Sequence, residues 1–143
     1  MAPVVENWAG EFLDAFTRWA ETRGDILGVA VVGSVARGTA SPSSDIDLIV
    51  LTPAPGEFLA HTDWASAFGI VQRQQQEEWG TVQVLRAWYL GGCEVEFGFA
   101  LPAWASVPTD EGTRAVAMGG LRVIFDRSGV FEALRREIAA GRS

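Results

Sequence analysis

The chain has 143 residues, 48% hydrophobic and 20% charged, which is typical of one globular domain with a buried core. Its formal net charge of −7 disfavours nucleic acid as a partner, because affinity for phosphate polymers comes largely from basic groups. All 11 basic residues are arginine, which excludes a Walker-A loop and the usual protein-kinase site, since both need a lysine at the phosphates.

The spacing of apolar residues predicts helices and strands that alternate along the chain. In chain order, the predicted elements are helix 4–22, strand 26–32, strand 45–51, helix 57–68, strand 82–89, strand 93–100, a helix that begins at 109–111, strand 121–125 and helix 130–140. Gly91-Gly92 predicts a hairpin between two of these strands, and the polar run 72–78 is either a connection or an exposed edge. The fold class is therefore α/β or α+β, with a mixed sheet.

The cysteine and histidine content limits the chemistry and the compartment. Cys93 is the single cysteine, which excludes an internal disulfide and fits a reducing environment. His61 is the single histidine, which excludes a His-rich zinc site and disfavours a Ser-His-Asp triad. The N-terminal segment has no secretory pattern and no apolar run is long enough to span a membrane. We expect a single cytoplasmic domain over residues 1–143.

A glycine and a serine follow the first predicted strand. Gly33 and Ser34 open a short segment in which backbone N–H groups can approach an anion closely, and the serine hydroxyl adds a further donor. Arg37 follows and is either a phosphate-neutralising group or an ordinary surface arginine. This turn is a candidate site for a triphosphate.

Two carboxylates stand at the head of the next strand. Asp45 and Asp47 are two residues apart, so both side chains leave the same face of the predicted strand. Like charges so close repel unless a cation lies between them. Magnesium fits, because it binds through one or two carboxylates together with substrate phosphates.

Val32-Gly33-Ser34, followed at a fixed spacing by Asp45-Ile46-Asp47-Leu48, resembles the signature of the DNA polymerase β-like nucleotidyltransferase superfamily. The stretch 33–50 is similar to the small bacterial members, the minimal nucleotidyltransferases and the antibiotic-modifying adenylyltransferases. The resemblance implies a mixed sheet flanked by helices. It also implies transfer of a nucleoside monophosphate, AMP from ATP being the expected case, to a hydroxyl-type acceptor on a small molecule or protein, with release of pyrophosphate.

The resemblance also implies a third carboxylate on a later strand. Glu94 and Glu96 are the candidates, and the period of a strand places them on one face. The hydrophobic-acid-hydrophobic setting of the family is matched better by Glu96 than by Glu94, so we expect Glu96. In the implied mechanism, Asp45, Asp47 and Glu96 hold two Mg²⁺ ions, with Glu96 also a candidate general base.

The implied partners are the nucleotide and an unknown acceptor. Antibiotic-modifying relatives carry a helical domain after the catalytic one, whereas here residues 97–143 follow Glu96. We therefore expect an acceptor site that is shallow, shared with a second copy or completed by another protein. The alternative function is a non-catalytic or antitoxin-like binding module that keeps the fold. The intact Gly33-Ser34 and Asp45-x-Asp47 motifs favour catalysis.

Overall fold

The protein is described by a computed structural model, which covers residues 8–33, 45–91, 94–105, 121–127 and 129–140. The helices in these ranges are α1 (Trp8–Glu21), α2 (Pro55–Ala60) and α3 (Glu132–Ala140), with 3₁₀ helices at Asp63–Phe68 and Pro102–Ala105. The strands are β1 (Gly28–Val32), β2 (Ile46–Leu51), β3 (Val71–Trp79), β4 (Val82–Tyr89), β5 (Glu94–Ala100) and β6 (Leu121–Asp126). None of the helices in the described ranges is long and apolar enough to cross a membrane.

The strands described form one mixed sheet in the order β3-β4-β5-β2-β1-β6. Strands β2 and β5 run parallel, and the other neighbouring pairs of this sheet are antiparallel. Helices pack against the sheet, so the predicted α+β class with a mixed sheet is confirmed. The predicted hairpin is confirmed too, since β4 and β5 are antiparallel neighbours.

One prediction is wrong in part, and an alternative that the sequence left open is resolved. The predicted helix over 57–68 is wrong as a single element: α2 ends at Ala60, His61 is extended with φ −132°, and a 3₁₀ helix begins at Asp63. The indole N–H of Trp64 donates a 3.0 Å hydrogen bond to the carbonyl of Phe58, which stabilises this break. The polar run 72–78 is an exposed edge, strand β3. The predicted helix start at 109–111, as well as Cys93, lies outside the described residues.

One face of the sheet is covered by α1 and the first 3₁₀ helix. Phe12 and Phe16 lie on the apolar stripe of α1, and both rings contact Phe97 of β5 with centroids 5.9 and 5.5 Å apart. Phe58 stacks on Phe99 at 4.7 Å. Aromatic packing of this kind buries large apolar areas, and it fixes β5 against the helices.

A second apolar cluster of described residues lies on the opposite face of the sheet. Ile49 of β2 and Ala100 of β5 lie in this cluster with Trp104, Phe131 and Leu134. Because side chains alternate along a strand, residues two and four positions before Ile49 and Ala100 point to this same face. That period brings Asp47 and Glu96 to the second face, next to the end of its apolar cluster.

Candidate functional site

The end of β1 lies directly beside the head of β2. Val32 is paired with Asp47 in the antiparallel register of the two strands, and Gly33 turns the chain away with φ +78°. A Cβ atom added at Gly33 would lie 2.9 Å from Oδ2 of Asp47. The backbone angle favours glycine at this position, and the absence of a side chain leaves room for the carboxylate close to the turn.

The parallel pairing of β2 and β5 brings the acidic residues together. Asp47 is the register partner of Glu96. Asp45 precedes β2 by one residue, and its carboxyl interacts with that of Glu94. Two Asp–Glu pairs thus lie side by side across the neighbouring strands.

Burial and crowding raise the pKa of both glutamates. The pKa of Glu96 rises to about 7, first because burial disfavours its charged form and then through its hydrogen bond and charge repulsion with Asp47. Burial is also the main cause of the raised pKa of Glu94, followed by its contacts with Asp45. These four residues, Asp45, Asp47, Glu94 and Glu96, form a partly buried carboxylate cluster in which neighbouring acids disfavour one another's charged forms.

Arg86 of β4 supplies a positive charge to the carboxylate cluster. It is the register partner of Glu96 and forms a salt bridge with it, and its Nη1 lies 3.6 Å from Oε2 of Glu94. On the other side, its Nη2 donates a 3.2 Å hydrogen bond to Oε1 of Glu77 on β3. Burial alone would lower the pKa of Arg86, but Glu96, Glu94 and Glu77 outweigh burial and raise it.

A row of polar contacts continues from Glu77 toward the start of β3. The side-chain amide of Gln75 donates a 2.8 Å hydrogen bond to Oε2 of Glu77. Arg73 lies over the ring of Trp88 at 4.6 Å from its centroid. Glu77 is thus held by two donors, one from its own strand and one from the neighbouring strand β4.

The structure brings most of the predicted site residues together. Gly33, Asp45, Asp47 and Glu96 meet where β1 ends and β2 and β5 begin, and Glu94 lies with them. Ser34 and Arg37 lie outside the described residues. Sequence reasoning missed Arg86 and Glu77. The hairpin register would have revealed Arg86, since pairing residue 88 with 94 also pairs 86 with 96.

The carboxylate cluster contains oxygen atoms that could coordinate a divalent cation, but they are not arranged around one metal position. Carboxylate oxygens are the ligands that Mg²⁺ prefers. Within the ranges that the structure describes, however, no group of three His, Cys, Asp or Glu side chains stands in position around one ion. The salt bridge between Arg86 and Glu96 engages one of the carboxylates that such a set would use.

The family of nucleotidyltransferase domains matches residues 14–90, a segment that contains the Gly33 turn and the Asp45-x-Asp47 pair. The chain belongs to this family. The match supports the resemblance to the polymerase β-like superfamily, and it ends before Glu94 and Glu96. No curated protein sequence matches the chain.

Solved structures with a similar fold include two larger enzymes. An aminoglycoside 6-adenyltransferase from Bacillus subtilis matches at a TM-score of 0.53 and 16% identity, over 66% of this chain and 35% of that one. A CCA-adding enzyme matches at a TM-score of 0.50 and 15% identity, over 93% of this chain and 33% of that one. At such identities the likeness concerns the fold, and this nucleotidyltransferase domain spans about a third of either structure.

Proposed function

We propose that this domain transfers a nucleoside monophosphate from a nucleoside triphosphate to a hydroxyl group, in a reaction that depends on divalent metal. The observation that carries the proposal is the approach of Asp47 to the Gly33 turn, with Glu96 opposite it on the parallel strand. Nucleotidyl transfer needs a phosphate-binding turn beside acidic metal ligands. ATP, as the source of AMP, is the expected donor.

Asp45, Asp47 and Glu96 are the residues that would hold the metal, with two Mg²⁺ ions as the proposed number. Their carboxylate oxygens fit a hard cation, and the pairing of Asp47 with Glu96 on adjacent strands brings two such ligands together. When bound, the metal neutralises the triphosphate and favours ionisation of the acceptor hydroxyl. Gly33 and Ser34 would hold the phosphates, and Arg37 would add positive charge there.

In the proposed step, the acceptor oxygen forms a bond with the α-phosphorus, and the bond from that phosphorus to the bridging oxygen of pyrophosphate breaks. The acceptor proton passes to a carboxylate oxygen of Glu96, which lies on the same face as Asp47. Glu94 sits one pair further out, beside Asp45. Its proposed role is to hold Arg86 in place, with which it forms a salt bridge.

The proposal extends to the acceptor, whose binding site would be incomplete in this domain alone. The chain covers about a third of the adenyltransferase and of the CCA-adding enzyme. The acceptor, a small molecule or a protein, would then bind a site that is shallow, shared with a second copy or completed by another protein. The carboxylate cluster is bordered on the β3–β4 side by Gln75, Glu77 and Trp88.

The test is incubation of the purified protein with each labelled triphosphate, Mg²⁺ and a panel of acceptors, followed by measurement of pyrophosphate. We expect release that depends on one acceptor, and its loss in Asp45→Asn and Asp47→Asn with thermal unfolding little changed. Asp14→Asn is the matched control, because Asp14 is exposed on α1 and far along the chain from the cluster. Release that persists in both site variants would refute the catalytic assignment.

A further inference from the structure

We infer that Arg86 is the internal counter-ion of the carboxylate cluster and that it competes with the divalent cation for Glu96. When the metal binds Glu96, the guanidinium of Arg86 stays in contact with Glu77. This inference rests on the proposed metal-dependent function. It makes Arg86 a positioning residue, which acts on the metal site through Glu96. Glu77, on the edge strand, then tunes how readily the site accepts metal.

The geometry places Arg86 between two groups of acids. Toward the cluster it forms salt bridges with Glu96 and Glu94, and away from the cluster it bonds to Glu77 at 3.2 Å. The Arg86 side chain is 24% exposed, and those of Glu96 and Glu77 are 17% and 22% exposed. At such partial burial, charge interactions are stronger than on an open surface.

Glu96 cannot bind the divalent metal ion and the Arg86 guanidinium at full strength at the same time. A divalent ion that takes an oxygen of Glu96 as ligand brings two positive charges next to the guanidinium, and the two cations repel. Arg86 has an alternative partner already in contact, because Nη2 bonds to Oε1 of Glu77. Glu77 is itself oriented by the amide of Gln75 at 2.8 Å.

In its present position, the guanidinium of Arg86 does not use all of its hydrogen-bond donors. The Nε atom of Arg86 is buried and has no hydrogen-bond acceptor among the described residues. A buried donor without a partner is unfavourable. If the Arg86 guanidinium moves away from Glu96, it therefore loses that salt bridge, but it does not leave a position in which every donor had a partner. The same arrangement explains why, in the part of the chain described, no three-residue metal set stands ready-made.

The experiment measures Mn²⁺ binding by the electron paramagnetic resonance signal of the free ion, together with thermal unfolding of the metal-free protein. We expect Arg86→Met to bind Mn²⁺ about tenfold more tightly than wild type, and to unfold at a lower temperature without metal because the carboxylates then repel. We expect Glu77→Gln to bind Mn²⁺ several-fold more weakly, since Arg86 then stays on Glu96. The two substitutions thus shift affinity in opposite directions.

Glu78→Gln is the matched control for Glu77→Gln. It removes the same charge from the neighbouring residue of β3, which points to the other side of the strand, and should leave Mn²⁺ affinity unchanged. If the wild type binds Mn²⁺ and Arg86→Met binds it equally or more weakly, the inference is wrong and the proposed function still stands. If Arg86→Met does not fold, equal effects of Glu77→Gln and Glu78→Gln overturn it. Absence of Mn²⁺ binding by wild type overturns the metal-dependent function, and the inference with it.

Discussion

Replacement of Gly33 by alanine separates the two demands that the site places on this residue. The backbone at Gly33 has φ +78°, and a Cβ atom there would lie 2.9 Å from Oδ2 of Asp47. Gly80 has a similar angle, φ +61°, with nothing within 4 Å of an added Cβ. Gly33→Ala and Gly80→Ala therefore share the backbone cost and differ in the contact with the carboxylate.

The backbone cost is about 1–2 kcal/mol for a non-glycine residue in the left-handed region. Both variants should thus melt a few degrees below wild type. Real Cβ atoms essentially never lie as close as 2.9 Å, so in Gly33→Ala the Asp47 carboxylate must move away from the turn. Because Asp47 is a proposed metal ligand, we expect its displacement to reduce the rate by about 10- to 100-fold.

The assays are differential scanning calorimetry and pyrophosphate release under the same conditions. We expect similar losses of melting temperature in the two variants and a loss of activity in Gly33→Ala alone. If Gly33→Ala kept wild-type activity, or if Gly80→Ala lost activity to the same extent, the approach of Asp47 to the turn would have no functional meaning.

Two further expectations concern the scaffold around the site. Gly98→Ala should lower the free energy of unfolding by about 1–3 kcal/mol in urea titrations, because its Cβ would lie 3.0 Å from the carbonyl oxygen of Leu48. Gly24→Ala is the control and should be tolerated, since nothing lies within 4 Å of a Cβ atom added there. Tyr89 donates a 2.7 Å buried hydrogen bond to the carbonyl of Ala65, and burial raises its pKa above the ordinary 10. The stability from this group should be complete below pH 10 and decline as pH rises toward the folded-state pKa, and absorbance titration can follow it because the chain has a single tyrosine.

The sequence allowed the central strands and the acidic motif to be predicted because both are local signals. The buried strand β1 is a β-branched run with a glycine at its end, and β2 is an apolar run headed by two acids. The period of a strand sufficed to bring Asp45 and Asp47 to one face. The interleaving of helices and strands around a hairpin indicated the mixed sheet, and the likeness of this stretch to nucleotidyltransferases implied helices that flank it.

Elements whose structure depends on tertiary contacts were harder to predict. Strand β3 carries polar residues on both faces, so its 72–78 run has no apolar alternation, and its strand state comes from pairing with β4. The 57–68 segment has a helical pattern throughout, yet the chain breaks at His61 so that Trp64 can reach Phe58 and pack against Phe97. Packing of the indole decides that break.

The contacts between charged residues of the site follow from the register of neighbouring strands. Asp47 meets Glu96 because β2 and β5 are parallel neighbours, a pairing that no local pattern specifies. Arg86 meets Glu96 through the hairpin, and Glu77 through the pairing of β3 with β4. The acids could be identified from the motif, whereas the charge that balances them required the register of both pairs. The residues proposed to govern metal affinity therefore include side chains outside the motif that identifies the family.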